Sequence, residues 1–102
     1  MIGIIDYGLG NINAFYNIYN ENGVKLEIIK SHRDFSKNIN KIILPGIGSF
    51  DKAIQLLKRN NLFDEITNFV SNNNNKIIGI CVGMQIFATN STEGNLNGFS
   101  FI

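Results

Sequence analysis

Residues 76–88 read KIIGICVGMQIFA, and they decide how the rest of the chain is interpreted. The run up to Cys81 is short and apolar, which is typical of a strand buried in a sheet, and a helical pattern begins at Gly83. Cys81 therefore stands at a sharp strand-to-helix turn between Gly79 and Gly83, in the arrangement G-x-nucleophile-x-G. Flanking glycines allow close approach to the thiol, and a helix N-terminus stabilises the reactive thiolate. We interpret Cys81 as a nucleophile, although an isolated free cysteine is more often a small buried core residue.

Upstream of this turn, apolar strands alternate with amphipathic helices. We predict strands at residues 2–6, 24–30, 41–44 and 76–81. Helices are predicted to begin at Asn11, at Ser49 or Asp51, and after a break at Asn60–Asn61. Such alternation implies βαβ units. The predicted fold is α/β, a parallel sheet with helices on both faces, in one domain over residues 1–102. A further strand starts at Phe99, so we expect the chain to stop within an element.

Composition narrows the classes of protein that fit. Hydrophobic residues make up 44% of the 102 residues, which supports a packed core and excludes a disordered chain. A net charge of +1 argues against nucleic-acid binding, and no apolar run is long enough to cross a membrane. One cysteine cannot form an internal disulfide, and with one histidine it argues against a zinc site. We therefore expect a cytoplasmic protein without a metal, a cofactor or a signal peptide.

Two further loops follow predicted strands. Residues 45–48 read PGIG and should open at the carboxyl edge of the sheet, where ligands bind in open α/β folds. A glycine-rich loop there can turn a backbone N–H towards an oxyanion, although such a segment taken alone is more often an ordinary turn. Residues 7–11 read YGLGN and lack the G-x-G-x-x-G pattern of a phosphate-binding loop. His32 lies in a polar connection, and we assign it no catalytic role.

Three motifs occur together in this chain: IIDYGLGN at residues 4–11, ILPGIGSF at 43–50 and GICVGMQ at 79–85. Residues 93–102 continue the pattern. With these motifs, the whole chain resembles the class I (triad) glutamine amidotransferases, and among them the glutaminase subunits of imidazole glycerol phosphate synthases. The resemblance implies a flavodoxin-like fold that is truncated at about half of the amidotransferase domain.

The resemblance also implies the chemistry. Cys81 would attack the carboxamide of glutamine, form a glutamyl thioester and release ammonia. Backbone N–H groups of Val82 and of the loop at Gly46, Ile47 and Gly48 would stabilise the oxyanion. Val82 stands where the family usually has leucine, which is a minor departure.

The same resemblance implies a substrate site and a partner. Gly83 and Gln85 would hold glutamine, and Gly10 and Asn11 would face a (β/α)8 cyclase subunit, in a heterodimer that serves histidine biosynthesis. The family's triad histidine and glutamate lie well downstream of the nucleophile, and neither is among residues 1–102. We therefore expect this chain by itself to be inactive.

Two other interpretations stay open from the sequence. One keeps the glutaminase but delivers the ammonia to a sugar-modifying synthase of surface-polysaccharide biosynthesis, and this half of the sequence barely separates the two acceptors. The other is a non-catalytic, flavodoxin-like binding module. Against that module, the loop at residues 7–11 has no hydroxyl group except that of Tyr7, whereas a flavodoxin phosphate loop is rich in serine and threonine.

Overall fold

A computed structural model describes residues 1–46, 48–80, 83, 86, 98 and 99. The strands are β1 (Ile2–Ile5), β2 (Leu26–Ile29), β3 (Lys41–Leu44) and β4 (Lys76–Gly79). The helices are α1 (Ile12–Glu21), α2 (Phe50–Arg59) and α3 (Leu62–Ser71), with a short 3₁₀ helix at His32–Asp34. Strands and helices alternate in the described part of the chain as the sequence predicts.

The four strands form one parallel sheet in the order β2-β1-β3-β4. Ile2 of β1 pairs with Leu26 on one side and with Lys41 on the other, and Ile43 of β3 pairs with Ile78 of β4. Because all strands run in the same direction, their carboxyl ends meet at one edge of the sheet. This edge is where the predicted functional loops must lie.

Helices cover both faces of the sheet, which confirms the predicted architecture. On one face Ile12 of α1 packs with Ile4, Leu26 and Ile43. On the other face, residues of α2 and α3 pack against the strands; this larger cluster includes Ile5, Ile42, Leu44, Phe50, Ile54, Leu57, Leu62 and Ile66. Each of these buried side chains contributes roughly 1.5–3 kcal/mol relative to an exposed position. The central strand β1 is buried on both faces, since Ile4 and Ile5 belong to opposite clusters.

Side-chain caps explain where the helices begin. The Asn11 side chain accepts a hydrogen bond from the Ala14 N–H at 3.3 Å, which caps α1. Ser49, not Asp51, caps α2 by accepting from the Lys52 N–H at 3.2 Å. Between α2 and α3 the chain turns at Asn61, whose φ of 59° lies in the left-handed region that asparagine tolerates. The predicted break at Asn60–Asn61 is therefore confirmed.

Three strands differ from their predicted form. β1 ends at Ile5, one residue early, and β4 ends at Gly79, with Ile80 outside the strand. Strand β2 is shorter than residues 24–30, and Val24 before it is 38% exposed. The prediction that the fourth strand is buried is wrong for Ile78, which is 58% exposed. Strand β4 lies at one edge of the described sheet. Helix α1 packs against β2, at the opposite edge, and therefore does not cover the side chain of Ile78.

The structure describes only parts of the chain after β4. Gly83 is helical, as expected for the start of a helix after the turn. The Phe99 N–H donates to the Ile86 carbonyl at 2.7 Å, and the Phe99 ring stacks on Phe63 of α3 with 4.3 Å between centroids. Ile86 lies in a turn and Phe99 is not in a strand, so these two described residues do not have the predicted helical and strand conformations. The other residues of the predicted helix at 83–88, and residues 100–102, lie outside the described residues. Among the helices described, none is both long and apolar enough to cross a membrane.

Candidate active site

Segments that follow β1, β3 and β4 meet at the carboxyl edge of the sheet. The first connection runs from Asp6 to Asn11 and the second from Pro45 to Ser49. The third begins at Ile80, directly before the predicted nucleophile. Parallel pairing of the three strands brings these segments to the same edge, where loops of open α/β sheets form ligand sites.

A buried hydrogen bond joins the first connection to the second. The Tyr7 hydroxyl donates to the Pro45 carbonyl oxygen at 2.6 Å, and Tyr7 is only 2% exposed. Burial raises the pKa of the Tyr7 phenol well above its ordinary value, because the charged phenolate is poorly solvated there. Tyr7 therefore stays protonated and remains a hydrogen-bond donor. Its hydroxyl is already engaged, which further weakens the interpretation of this loop as a phosphate site.

Gly10 allows the first two connections to pack closely. Its φ of +97° lies in the left-handed region that favours glycine. A Cβ added to Gly10 would lie 3.1 Å from Pro45 Cβ and 3.3 Å from the Gly46 nitrogen. Gly10, for which the family resemblance implies a place at a partner interface, thus also supports the Pro45–Ser49 connection.

The segment after β4 lies against the end of β3. The Ile80 N–H donates to the Leu44 carbonyl at 3.0 Å, and the Gly83 N–H donates to the Ile80 carbonyl at 3.0 Å. A Cβ on Gly83 would overlap the Leu44 carbonyl oxygen and would lie 3.4 Å from the Pro45 carbonyl carbon. The residues on either side of the predicted nucleophile therefore contact the start of the proposed oxyanion loop.

Within that loop the described glycines differ. Gly46 is buried beside the Tyr7 connection, whereas Gly48 is exposed and has a φ of +115°, where a side chain would be strained. This conformation of Gly48 turns the chain from β3 into the capped start of α2 at Ser49. Four predicted site residues lie outside the described part of the chain: Ile47, Cys81, Val82 and Gln85.

His32 belongs to a different region of the molecule. It lines a cavity of about 550 Å³ together with Lys58, Asn61, Phe63 and neighbouring residues of α3. None of the described residues of the three connections lines this cavity, and the His32 Nδ1 atom is buried without a hydrogen-bond partner. Within the described ranges, no three His, Cys, Asp or Glu side chains are close enough together to hold a metal ion.

The sequence of the chain matches a known protein family. The sequence profile of the CobB/CobQ-like glutamine amidotransferase domain matches residues 3–97. The chain belongs to the glutamine amidotransferase family. The matched range includes the three connections at the carboxyl edge, and the resemblance inferred from the sequence motifs is confirmed.

Curated relatives align with this chain over its whole length. The chain is 39% identical over 102 residues to "Imidazole glycerol phosphate synthase subunit HisH" of Leptospira interrogans, covering 100% of this chain and 50% of the relative. It is 38% identical over 102 residues to the protein of the same name from Bdellovibrio bacteriovorus, with the same coverage. The chain therefore spans about half the length of the curated relatives that it matches.

A solved structure supports the fold of this glutamine amidotransferase chain. It is described as "Crystal structure of glutamine amidotransferase" and matches with a TM-score of 0.72 at 17% sequence identity. The match covers 86% of this chain and 45% of the solved one. At this low identity the likeness shows the fold, and that fold agrees with the predicted flavodoxin-like sheet.

The contribution of Tyr7 cannot be found in the sequence. The residues at 7–11 indicate a weak candidate for a phosphate loop, and the family resemblance implies a partner surface at Gly10 and Asn11, but neither links Tyr7 to Pro45. These residues are 38 positions apart, and a single aromatic residue after a strand carries no pattern that would reveal its partner.

Proposed function

We propose that this chain is part of a glutaminase subunit of an imidazole glycerol phosphate synthase, in which residues 1–102 form the N-terminal part of one amidotransferase domain. The observation that carries the proposal is an alignment over all 102 residues of the chain, at 39% identity, with a relative that bears that subunit's name. The meeting of the Gly10, Pro45 and Gly83 segments at one edge supports it, since a glutaminase needs its nucleophile and its oxyanion donors side by side.

The proposed reaction uses Cys81 as the nucleophile. Its thiolate attacks the carboxamide carbon of glutamine and forms a tetrahedral intermediate with the negative charge on oxygen. The C–N bond then breaks, the nitrogen takes up a proton and leaves as ammonia, and a glutamyl thioester remains. Water hydrolyses the thioester to glutamate and restores the thiol. The base and its orienting carboxylate would come from the family's histidine and glutamate, which residues 1–102 do not contain.

Backbone N–H groups stabilise the oxyanion in the proposed reaction. We assign this role to Val82 and to Gly46, Ile47 and Gly48, because preorganised backbone dipoles stabilise charge as it develops in the transition state. The contact of Gly83 with the Leu44 carbonyl supports this assignment, since it brings the β4 segment against the start of the same loop.

The remaining assignments concern substrate and partner. Gly83 and Gln85 would hold the glutamine, and Gly10 and Asn11 would face a (β/α)8 cyclase subunit that receives the ammonia in the cytoplasm. Asn11 is exposed, which supports a role at an interface. Among the alternatives, a glutaminase for a sugar-modifying synthase would share this site. A cyclase gene beside histidine genes would favour our proposal, and sugar-nucleotide genes in its place would favour the alternative.

Replacement of the thiol tests the proposal directly. In a protein of the length of the curated relatives, assayed with its cyclase partner, we expect Cys81→Ala and Cys81→Ser to abolish glutamine-dependent synthesis and ammonia release. Synthesis driven by added ammonia should persist, because the acceptor site lies on the partner. Ser36→Ala, which removes an exposed hydroxyl in the connection before β3, serves as the control and should leave both activities unchanged. Glutamine hydrolysis by Cys81→Ala would refute the assignment of the nucleophile.

A further inference from the structure

The hydrogen bond from Tyr7 constrains a peptide unit in the proposed oxyanion loop. The Pro45 carbonyl, which accepts from the Tyr7 hydroxyl at 2.6 Å, belongs to the same planar peptide unit as the Gly46 N–H. No cis peptide bond is present among the described residues, so the N–H of this unit points away from its carbonyl. Holding the Pro45 carbonyl therefore sets the direction of the Gly46 N–H.

We infer that Tyr7 is a positioning residue of the glutaminase site: its hydroxyl orients the Pro45–Gly46 peptide unit and, through it, the loop at Gly46–Gly48. This inference rests on the proposed function, which uses that loop to stabilise the oxyanion. In this role Tyr7 acts by restricting the loop before the reaction begins.

The composition of the loop explains why an external restraint is needed. Glycine has more backbone freedom than any other residue, and two of the four residues at 45–48 are glycine. Gly10 packs against one side of the loop. In the described part of the loop, the structure shows one hydrogen bond from a side chain, which the Tyr7 hydroxyl donates.

Burial makes this restraint difficult to replace with water. Pro45 and Tyr7 are both buried, so removal of the hydroxyl leaves a buried carbonyl oxygen with no other donor among the described residues. The peptide unit then either remains unpaired or rotates towards another donor. Either response changes the direction of the Gly46 N–H and loosens the loop.

The test separates loop positioning from general stability. In the full-length protein with its cyclase partner, we expect Tyr7→Phe to lower kcat for glutamine hydrolysis by roughly ten- to a hundredfold, less than the loss on removing a whole oxyanion donor. KM for glutamine should change little. The rate at which iodoacetamide alkylates Cys81 should also be unchanged, because that displacement develops no oxyanion on a carbonyl. Tyr19→Phe is the matched control, since Tyr19 is half-buried on α1, away from the three connections.

Several outcomes would overturn the inference. A Tyr7→Phe protein with wild-type kcat would do so, and so would a parallel loss of glutaminase activity and of alkylation, which is the signature of a merely structural role. If Tyr7→Phe does not fold, 4-aminophenylalanine at position 7 keeps the ring and a hydrogen-bond donor in the para position. That protein should retain most of the wild-type kcat for glutamine hydrolysis, and a protein that folds but loses this activity would refute the inference. An inactive wild type, or an active Cys81→Ala, would instead refute the proposed function.

Discussion

At the scale of single residues, the polar chemistry of this chain depends on where water is excluded. Tyr7 is one of three tyrosines, and burial raises its pKa because a phenolate at that position would have little solvation. Tyr16 and Tyr19 on α1 are only partly buried. The same residue type therefore serves as packing surface on α1 and as a fixed hydrogen-bond donor after β1.

The raised pKa of Tyr7 predicts how stability depends on pH. In the unfolded chain the phenol ionises near its ordinary pKa of about 10, whereas in the folded chain it stays protonated to higher pH. Above that ordinary pKa the unfolded state binds fewer protons, so the free energy of unfolding should fall with rising pH, by at most ~1.4 kcal/mol per pH unit. Below it, the contribution of Tyr7 is fully present.

Urea denaturation of full-length wild type and Tyr7→Phe, from neutral pH to about pH 11, measures this effect. Other groups that titrate are common to both proteins and cancel in the difference. The advantage of the wild type over Tyr7→Phe should shrink only at the alkaline end. A difference that stays constant over the whole range would contradict the buried, protonated phenol.

At the scale of elements, a glycine allows the end of β3 and the segment after β4 to pack closely together. The Leu44 carbonyl accepts from the Ile80 N–H, and Gly83 returns to the same carbonyl without space for a Cβ. The glycine two residues after the predicted nucleophile is thus required by packing between elements, in addition to its part in the turn.

Gly83→Ala tests this fit. We expect it to destabilise the full-length protein by roughly 1–3 kcal/mol, because a methyl group is forced against backbone atoms, and to reduce glutaminase activity because the segment that carries Cys81 must shift. Gly23→Ala is the control: Gly23 has a φ of +76° and open space around it, so it should lose some stability through backbone strain but retain activity. Thermal unfolding and ammonia release measure the two effects. Equal activity in both variants would show that the contact with Leu44 does not position the nucleophile.

At the scale of the whole molecule, the described sheet is well covered at its centre and poorly covered at β4. The side chains of Ile4 and Ile5 are fully buried, whereas Ile78 lies largely exposed on an outer strand. Exposed apolar surface beside a strand edge favours association with other chains. A polypeptide limited to residues 1–102 should therefore be marginally stable.

We also expect a polypeptide limited to residues 1–102 to release no ammonia from glutamine. A cysteine nucleophile loses most of its activation without a base and the carboxylate that orients it, although the helix N-terminus can still make Cys81 reactive towards alkylating agents. Ammonia release should be measured with and without a cyclase partner, beside a full-length relative. Comparable turnover would mean that His32 or another group acts as the base, and His32→Ala would then distinguish these two cases.

Features that depend on short stretches of chain are predictable from the sequence alone. Alternating apolar periodicities predicted the parallel α/β sheet, Asn11 was correctly predicted to begin a helix, and the motifs around Gly46 and Cys81 were sufficient to identify the family. Periodicity and caps involve residues only a few positions apart, so they can be read without knowledge of the fold.

Contacts between side chains of different elements, and the exposure of individual side chains, are visible only in the folded molecule. The bond from Tyr7 to Pro45, the contact of Gly83 with Leu44 and the exposure of Ile78 all depend on how separate strands and helices are placed beside one another. Ile78 belongs to a strand pattern that suggests burial, but burial also requires an element to cover that face. Coverage is a property of the assembled sheet, and no local pattern in the chain encodes it.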